Sequence, residues 1–232
     1  VAMWGLEDGP DWGTQLPNRE SITRFFELGV QMIPELKTPV VPMPFGGLTQ
    51  EAFAQKLIDD YKAAGVDPRR VWPQSFDRRD IRYWLAHEPA FGRQAVYLEA
   101  AEKVADLPSP AALQAFKAEG INIIAPPLFA LLEGDATGAI RPSAYARAAQ
   151  AADLEIVPWS LERSGNIIAG GQDFYYQTIA PAIRREGDVL RVLDVLAQEV
   201  GIRAIFSDWP ATVAYYANCM GLVPGVPAEL SK

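Results

Sequence analysis

The chain has 232 residues, 49% of them hydrophobic, which is enough to bury a large core, and we expect a single domain over residues 1–232. Its formal net charge of −8 disfavours nucleic acid as a partner, because binding to a phosphate backbone needs a stripe of Lys and Arg. The single cysteine, Cys219, excludes an intrachain disulfide, and the absence of an apolar run of about 18 residues predicts no membrane span.

The N-terminal region is rich in residues that favour loops. Residues 1–20 contain many Gly, Pro, Asp and Asn residues, which is typical of a loop. Residues 21–29 predict a short helix ended by Gly29, and residues 30–37 predict a strand whose end carries charge. The chain begins at Val1 without a signal-peptide pattern, so we expect either a cleaved precursor or a sequence that starts within a longer protein.

After residue 37, strand-like and helix-like patterns alternate along the chain. Helices are predicted over residues 49–64, 78–87, 109–119, 142–152, 187–200 and 211–218, and strands over residues 70–76, 94–99, 121–125, 154–159 and 202–206. This alternation predicts an α/β fold, a TIM-type barrel of parallel strands surrounded by helices. Six strand–helix units are fewer than the usual eight, so we expect a barrel that is incomplete at its N-terminus.

Charged residues end the first predicted strand. Glu35 and Lys37 are two residues apart, and a period of two puts both side chains on one face of the strand. A carboxylate beside an ammonium at a strand end can hold a cation and a phosphate oxygen together, and it can equally form a plain ion pair that closes a loop.

Further candidates follow the other predicted strands. Gln74 can bind a phosphate or a ligand hydroxyl, or it can satisfy nearby backbone groups. Trp159 can form an apolar platform for an alcohol or lipid headgroup, or it can be ordinary core. Asp208 can cap the next helix or face the cleft. Glu99, Asn122 and Glu162 are weaker candidates of the same positional kind.

The residues most often used for proton transfer or nucleophilic attack are scarce. His87 is the only histidine, and it falls near the end of a predicted helix rather than at a strand end. Cys219 has no histidine near it in sequence, and no phosphate-binding loop or zinc-ligand spacing is present. A triad-type or zinc mechanism therefore has no support in the sequence.

Taken together, the strand ends resemble the glycerophosphodiester phosphodiesterase family. That family carries an I-E-x-K strand, a Q-S-F strand, a W-T/S strand and a T/S-D-x-P strand. The corresponding segments here are Ile33-Pro34-Glu35-Leu36-Lys37, Gln74-Ser75-Phe76-Asp77, Trp159-Ser160 and Phe206-Ser207-Asp208-Trp209-Pro210. The long loop after Trp159 is similar to that of the larger members, which are often secreted or periplasmic, so the resemblance favours an extracellular or periplasmic location.

The resemblance implies hydrolysis of a small-molecule glycerophosphodiester to an alcohol and glycerol 3-phosphate, with Ca²⁺ or Mg²⁺ as cofactor. It implies that Glu35 is a metal ligand and that Lys37 is catalytic, stabilising charge on the phosphate. Gln74 would line the phosphate pocket, Trp159 would pack on the glycerol side, and Asp208 would have a structural or supporting role.

The chain also departs from the family pattern. The family begins with an H-R-G strand, an E-x-D strand and an H-D strand, and none of these motifs occurs here. We therefore expect a missing N-terminal segment that carries catalytic histidines, and no activity from residues 1–232 alone. The competing hypotheses are a non-catalytic barrel remnant that acts as a binding or scaffold module, and a related barrel such as a phospholipase C or sphingomyelinase D relative.

Overall fold

The computed structural model describes residues 30–163, 165–169 and 174–222. The loop expected over residues 1–20, the helix expected over residues 21–29 and the Gly170-Gly171 pair lie outside the described residues. Among the described residues, no helix is both long and apolar enough to cross a bilayer.

The core of the fold is a parallel sheet whose strands follow one another in chain order. It contains β1 (Gln74–Ser75), β2 (Val96–Leu98), β3 (Ile123–Ala125) and β6 (Glu155–Ile156). Residues 32–36, the first segment, run parallel to residues 71–74, with bridges from Met32 to Val71 and from Glu35 to Gln74 of β1. Residues 203–206, the last segment, pair beside β6, where the Phe206 backbone N–H donates to the Pro158 carbonyl at 2.9 Å.

The sheet is curved. Neighbouring strands are about 4.8 Å apart, so β1 and β6, three steps apart, would be separated by about 14 Å in a flat sheet. The rings of Phe76, just after β1, and Trp159, after β6, nevertheless meet at a centroid distance of 5.8 Å. Parallel strands added in chain order to a curved sheet are the topology of a TIM-type barrel, and this prediction is confirmed. The expectation that the barrel lacks its first strands stays a prediction.

Helices cover the outer face of the sheet. They are α1 (Gln50–Ala63), α2 (Arg78–His87), α3 (Pro89–Gly92), α4 (Pro110–Ala118), α5 (Ala144–Ala151), α6 (Asp188–Asp194) and α7 (Pro210–Cys219). The hydroxyls of Thr49, Ser109 and Ser143 accept backbone N–H groups at the starts of α1, α4 and α5, which satisfies donors that have no partner within the helix.

Alternation along the strands separates two apolar clusters. The outer cluster lies between sheet and helices and includes Met32, Val71, Ile124 and Ile156. The inner face packs its own smaller cluster, formed by Ile33, Val96, Leu98, Ile123, Ala125, Val157 and Phe206 with Trp72, Phe76, Trp159 and Ala204 against it. Because strand side chains alternate with a period of two, residues in phase with Ile33 and Val157 point into the barrel.

Two predicted helices differ in the structure. The helix predicted over residues 142–152 begins only at Ala144, because Pro142 ends β5 (Ile140–Pro142), which pairs antiparallel with β4 (Leu132–Gly134). The helix predicted over residues 187–200 divides into α6 and a π-helix over Val195–Val200, which Gly201 ends in the left-handed conformation. The β4–β5 hairpin lies in the connection after β3 and was not predicted.

Candidate functional site

The carboxyl ends of the six parallel segments form one edge of the sheet, which we call the mouth. Glu35 and Lys37 lie there, in phase with Ile33 of the inner face. The Lys37 Nζ and the Glu35 Oε2 are 3.0 Å apart, and the two side chains are 51% and 20% exposed. The predicted pair therefore forms, with its ammonium facing solvent at the mouth.

Gln74 lies beside Glu35 in the adjacent strand, and the two residues form a parallel bridge. Its side chain is buried, with Nε2 donating to the Ile33 carbonyl at 3.3 Å. This bond fixes the amide orientation, because the opposite orientation would bring two acceptors together. The Oε1 atom, an acceptor only, has no hydrogen-bond partner. Gln74 therefore holds a buried acceptor without a partner beside the mouth.

Trp159 anchors a group of rings at the mouth. Its Nε1 donates to the Ala125 carbonyl at 2.8 Å, which holds the indole over the inner face. Three rings contact Trp159, and Phe129 contacts one of them, Phe174. We call this set the aromatic cluster: Phe76, Phe129, Trp159, Phe174 and Tyr175. The Phe76, Phe174 and Tyr175 centroids are 5.8 to 5.9 Å from that of Trp159, mostly in edge-to-face geometry.

Asp208 follows the last segment and is exposed. Its Oδ1 is 3.8 Å from an Arg163 guanidinium nitrogen, a loose pair between partly exposed side chains. The residue before α7 is Trp209, which makes no side-chain capping bond. Asp208 therefore pairs with a neighbouring loop at the mouth, in keeping with a structural role.

Asp208 was a candidate to cap α7, but the carboxyl that lies against the backbone just before this helix is that of Glu162. Its carboxyl is buried, and Oε1 accepts the Ser207 hydroxyl at 3.0 Å. Burial raises its pKa, which the Ser207 and Thr212 hydroxyls and the N–H groups of Trp209 and Asp208 partly oppose. These four groups favour the charged form of the Glu162 carboxyl. Its Oε2 atom nevertheless has no hydrogen-bond partner among the described residues.

Glu99 is a second buried carboxyl, directly after β2. Its Oε1 accepts the Tyr145 hydroxyl at 2.5 Å, whereas Oε2 has no partner. Burial raises the pKa of Glu99 to about 7, and the bond from Tyr145 partly opposes the rise. Because Leu98 faces the inner cluster, Glu99 points to the helical layer. The sequence had ranked Glu99 and Glu162 as weak candidates, since their partners lie 45 or 46 residues away.

Two other residues lie away from the mouth. Asn122 precedes β3, at the opposite end of the sheet, and its Nδ2 donates to the Gly120 carbonyl at 3.2 Å, so its candidacy as a strand-end residue was wrong. His87 is the last residue of α2, where its exposed ring lies 4.6 Å from that of Tyr83. Because helices in this fold end at the opposite edge from the mouth, the only histidine of the chain is remote from the site.

The fit of a divalent cation can be tested against these side chains. In the described ranges no three His, Cys, Asp or Glu residues come together as a metal site would require. Glu35 is paired with Lys37, whose positive charge competes with a cation. Because Ca²⁺ takes six to eight oxygen ligands, the side chains described at the mouth do not by themselves fit one.

Solved structures with a similar fold include glycerophosphodiester phosphodiesterases. A Parabacteroides distasonis enzyme superposes with a TM-score of 0.54 at 13% identity over 87% of this chain and 64% of that one. A putative glycerophosphoryl diester phosphodiesterase of Silicibacter pomeroyi gives 0.57 at 14% identity over 88% of this chain and 56% of that one. This chain thus spans less than two thirds of their length, and the likeness at such identities establishes the fold.

Sequence comparison gives a much nearer relative. No protein-family model matches the chain. An "Extracellular protein" of Arthroderma benhamiae is 46% identical over 215 residues, which cover 90% of this chain and 88% of that one. Identity of this level over nearly the whole of both chains is far above that of the fold relatives. The chain therefore belongs to the same family as this extracellular protein of Arthroderma benhamiae.

Proposed function

We propose that the mouth binds a small phosphodiester and that the protein is a hydrolase of the glycerophosphodiester phosphodiesterase type. The observation that carries the proposal is the convergence of the Glu35–Lys37 pair, the unused Gln74 acceptor and the aromatic cluster on one end of a TIM-type sheet. The fold neighbours, which are phosphodiesterases by name, support the same class. The name of the Arthroderma relative supports an extracellular location.

Lys37 is the group that would meet the phosphate. A phosphodiester carries one negative charge whose oxygens accept hydrogen bonds, so its site needs donors or cations. The Lys37 ammonium carries three N–H donors and a full positive charge, and the side chain is about half exposed at the mouth beside Glu35. Stabilisation of charge that develops in the transition state is the role that this position supports.

Gln74 would serve a different part of the substrate from the one its sequence motif implies. A phosphate oxygen cannot bind to Oε1, because both atoms are acceptors. A hydroxyl can, and the alcohol part of a glycerophosphodiester carries hydroxyls. We therefore propose that Gln74 binds a substrate hydroxyl. The hydroxyl would donate a hydrogen bond to Oε1, which has no partner without the substrate. The aromatic cluster would cover the apolar side of the same alcohol.

Glu35 as a ligand of Ca²⁺ or Mg²⁺ stays a prediction, and no step is assigned to a cation. A second candidate function, phosphodiester binding without hydrolysis, is favoured by the position of His87 at the far edge of the fold. Without a histidine at the mouth, general acid–base contributions of about 10²–10⁴ would have to come from other groups. The expectation that residues 1–232 do not turn over substrate alone also stays a prediction.

The test measures binding and turnover separately on residues 1–232. Calorimetric titration with glycerophosphocholine should show binding, and the Lys37→Ala and Gln74→Met variants should weaken it at least tenfold. Phosphorus NMR of the same samples, with and without Ca²⁺ or Mg²⁺, reports turnover. Release of glycerol 3-phosphate supports the hydrolase, and binding without product supports the second candidate. Absence of binding by the folded protein contradicts both.

A further inference from the structure

We propose that the mouth docks on the surface of a zwitterionic lipid aggregate, a proposal that rests on the phosphodiesterase function above. The proposal concerns large apolar side chains exposed in the loops around the mouth. We call them the apolar rim: Val40, Phe45, Leu48, Val104, Ile168 and Trp209. All six lie in connections that follow the carboxyl ends of strands, and they therefore surround the candidate site.

The distribution of these side chains is one-sided. In the part of the chain that the structure describes, nine large apolar side chains are exposed, and six form the apolar rim. The others, Tyr215, Met220 and Leu222, belong to α7 or directly follow it. None lies in the turns that lead from a helix into a strand. Scattered exposed apolar residues are ordinary, but their concentration around a cleft is typical of an interaction surface.

The loop after the first segment holds two of its apolar residues in a hydrogen-bonded hairpin. Phe45 and Leu48 form a two-residue hairpin, with backbone bonds of 3.0 and 2.9 Å in both directions. Gly46 and Gly47 have φ values of +56° and +83°, which such a turn requires and other residues rarely adopt. Residues directly opposite in a hairpin share a face, so Phe45 and Leu48 point the same way.

The charge of the chain and of the loop around Phe45 indicates which kind of lipid surface the apolar rim would bind. Residues 38–50 contain no charged side chain, although the chain has a net charge of −8. Anionic membranes attract clusters of Lys and Arg, which this loop lacks, and they would repel an acidic protein. A zwitterionic surface imposes no such repulsion, and a Trp side chain such as that of Trp209 favours the boundary between headgroups and acyl chains.

Docking would bring the mouth to its substrate. The phosphodiester of a phospholipid or lysophospholipid lies in the headgroup layer, at the depth that an apolar ring of side chains would reach. With the rim seated on the surface, the Lys37 ammonium and the aromatic cluster would face that layer. The substrate class is therefore an amphiphilic phosphodiester held in an interface, in addition to soluble glycerophosphodiesters.

The experiment compares vesicle binding by matched variants of residues 1–232. Sedimentation with phosphatidylcholine vesicles gives the partition coefficient. Val40→Ser/Phe45→Ser, in the apolar rim, should lower the coefficient at least tenfold. Tyr215→Ser/Met220→Ser, which removes equally exposed apolar groups outside the rim, should change it less than twofold. The conservative Phe45→Leu should retain most of the binding, and thermal unfolding checks that each variant is folded.

Several results would overturn the proposal. These are failure of the unmodified protein to bind the vesicles, equal losses in both double variants, or tighter binding when anionic lipid is added. A concentration-dependent dimer that the rim variant alone dissolves would show that a second copy covers the rim instead. Soluble glycerophosphocholine separates this proposal from the proposed function, because the rim variant should bind it normally, whereas a wrong function would abolish that binding in every variant.

Discussion

The two ends of the parallel sheet differ in how completely their buried polar side chains are hydrogen-bonded. At the end where strands begin, side chains close bonds to one another or to backbone: Trp72 Nε1 donates to Gln31 Oε1 at 2.6 Å, and Gln94 Nε2 donates to the Pro68 and Val71 carbonyls at 3.0 and 2.9 Å. At the mouth, buried oxygens of Gln74, Glu99 and Glu162 have no partner among the described residues.

This difference shows which polar groups lower the free energy of unfolding because they are buried without a hydrogen-bond partner. A buried acceptor without a partner costs about 1–3 kcal/mol, and native proteins tolerate few of them. Of the three unsatisfied side-chain oxygens found in the described ranges, that of Gln74 lies within β1, that of Glu99 directly follows β2, and that of Glu162 lies in the loop after β6. A protein selected only for stability would satisfy them, as it does at the other end. Of the three, Gln74 is the residue in phase with Trp72 and Phe76 of the inner face, so the proposed ligand site depends on it rather than on Glu99 or Glu162.

The largest expected effect is that of Lys37. Lys37→Ala should weaken glycerophosphocholine binding at least tenfold and, where turnover is measurable, lower kcat/KM by roughly 10²–10³, because stabilisation of phosphate charge is lost. Its matched control is Lys56→Ala on α1, which also breaks a 3.0 Å pair of a partly exposed lysine. Both variants should keep their unfolding free energy within about 1 kcal/mol. Equal binding by both would reduce Lys37 to a surface ion-pair partner.

Two tryptophans on the inner face sharpen the comparison. Trp159→Ala should raise KM or Kd about tenfold with a smaller effect on kcat, because an apolar platform binds ground and transition states alike. Trp72→Ala, at the opposite end of the same face, should destabilise the fold by about 3 kcal/mol and leave the affinity of the folded protein unchanged. Titration calorimetry and urea unfolding measure the two effects. A similar affinity loss in both would make the Trp159 effect a packing effect.

Glu99 makes the stability of the mouth depend on pH. Because its pKa of about 7 exceeds the unfolded value near 4.5, the native state holds the proton more tightly. The stabilisation by protonation is complete below about pH 4.5 and is lost as pH rises to 7. The Gln side chain does not titrate, so the unfolding free energy of Glu99→Gln should rise relative to that of the unmodified protein between pH 4.5 and pH 7, by on the order of 1–3 kcal/mol.

Urea unfolding at several pH values measures this gain, with Tyr145→Phe as the second variant. Loss of the Tyr145 hydroxyl removes a donor to the carboxylate, so the pH dependence should extend to higher pH. A gain for Glu99→Gln that is the same at pH 4 and pH 8 would mean that the carboxyl titrates normally in the folded protein.

The sequence predicted the fold, and it predicted the strand-end position of Glu35 and Lys37, because both depend on local periodicity. Alternating strand and helix patterns gave the TIM-type sheet, and a period of two placed Glu35 and Lys37 on one face. The helix predicted from residue 109 depends on the same kind of local signal, since Ser109 is the residue that caps α4.

Partners that are distant in sequence could not be predicted. The bond from Tyr145 to Glu99 joins different elements, and the contact of Phe174 with Trp159 depends on how a long loop folds back over the mouth. For the same reason, the role proposed for Gln74 differs from the one that its sequence motif implied. Only the neighbouring strand, which supplies the Ile33 carbonyl, leaves its Oε1 rather than its Nε2 free for a ligand.

The matched pair Gln74→Met and Gln94→Met tests the contrast between the two ends most directly. Both replacements remove an amide of similar volume, one from the mouth and one from the end where strands begin. We predict that Gln94→Met lowers the unfolding free energy by about 1–2 kcal/mol, since it removes the amide's bonds to the Val71 and Pro68 carbonyls, of which only the Pro68 carbonyl keeps another donor, the Val71 N–H. The glycerophosphocholine affinity should stay within about twofold. Gln74→Met should keep stability within about 0.5 kcal/mol and lose affinity at least tenfold. Loss of stability without loss of affinity in Gln74→Met would contradict the claim that the mouth is built for a ligand.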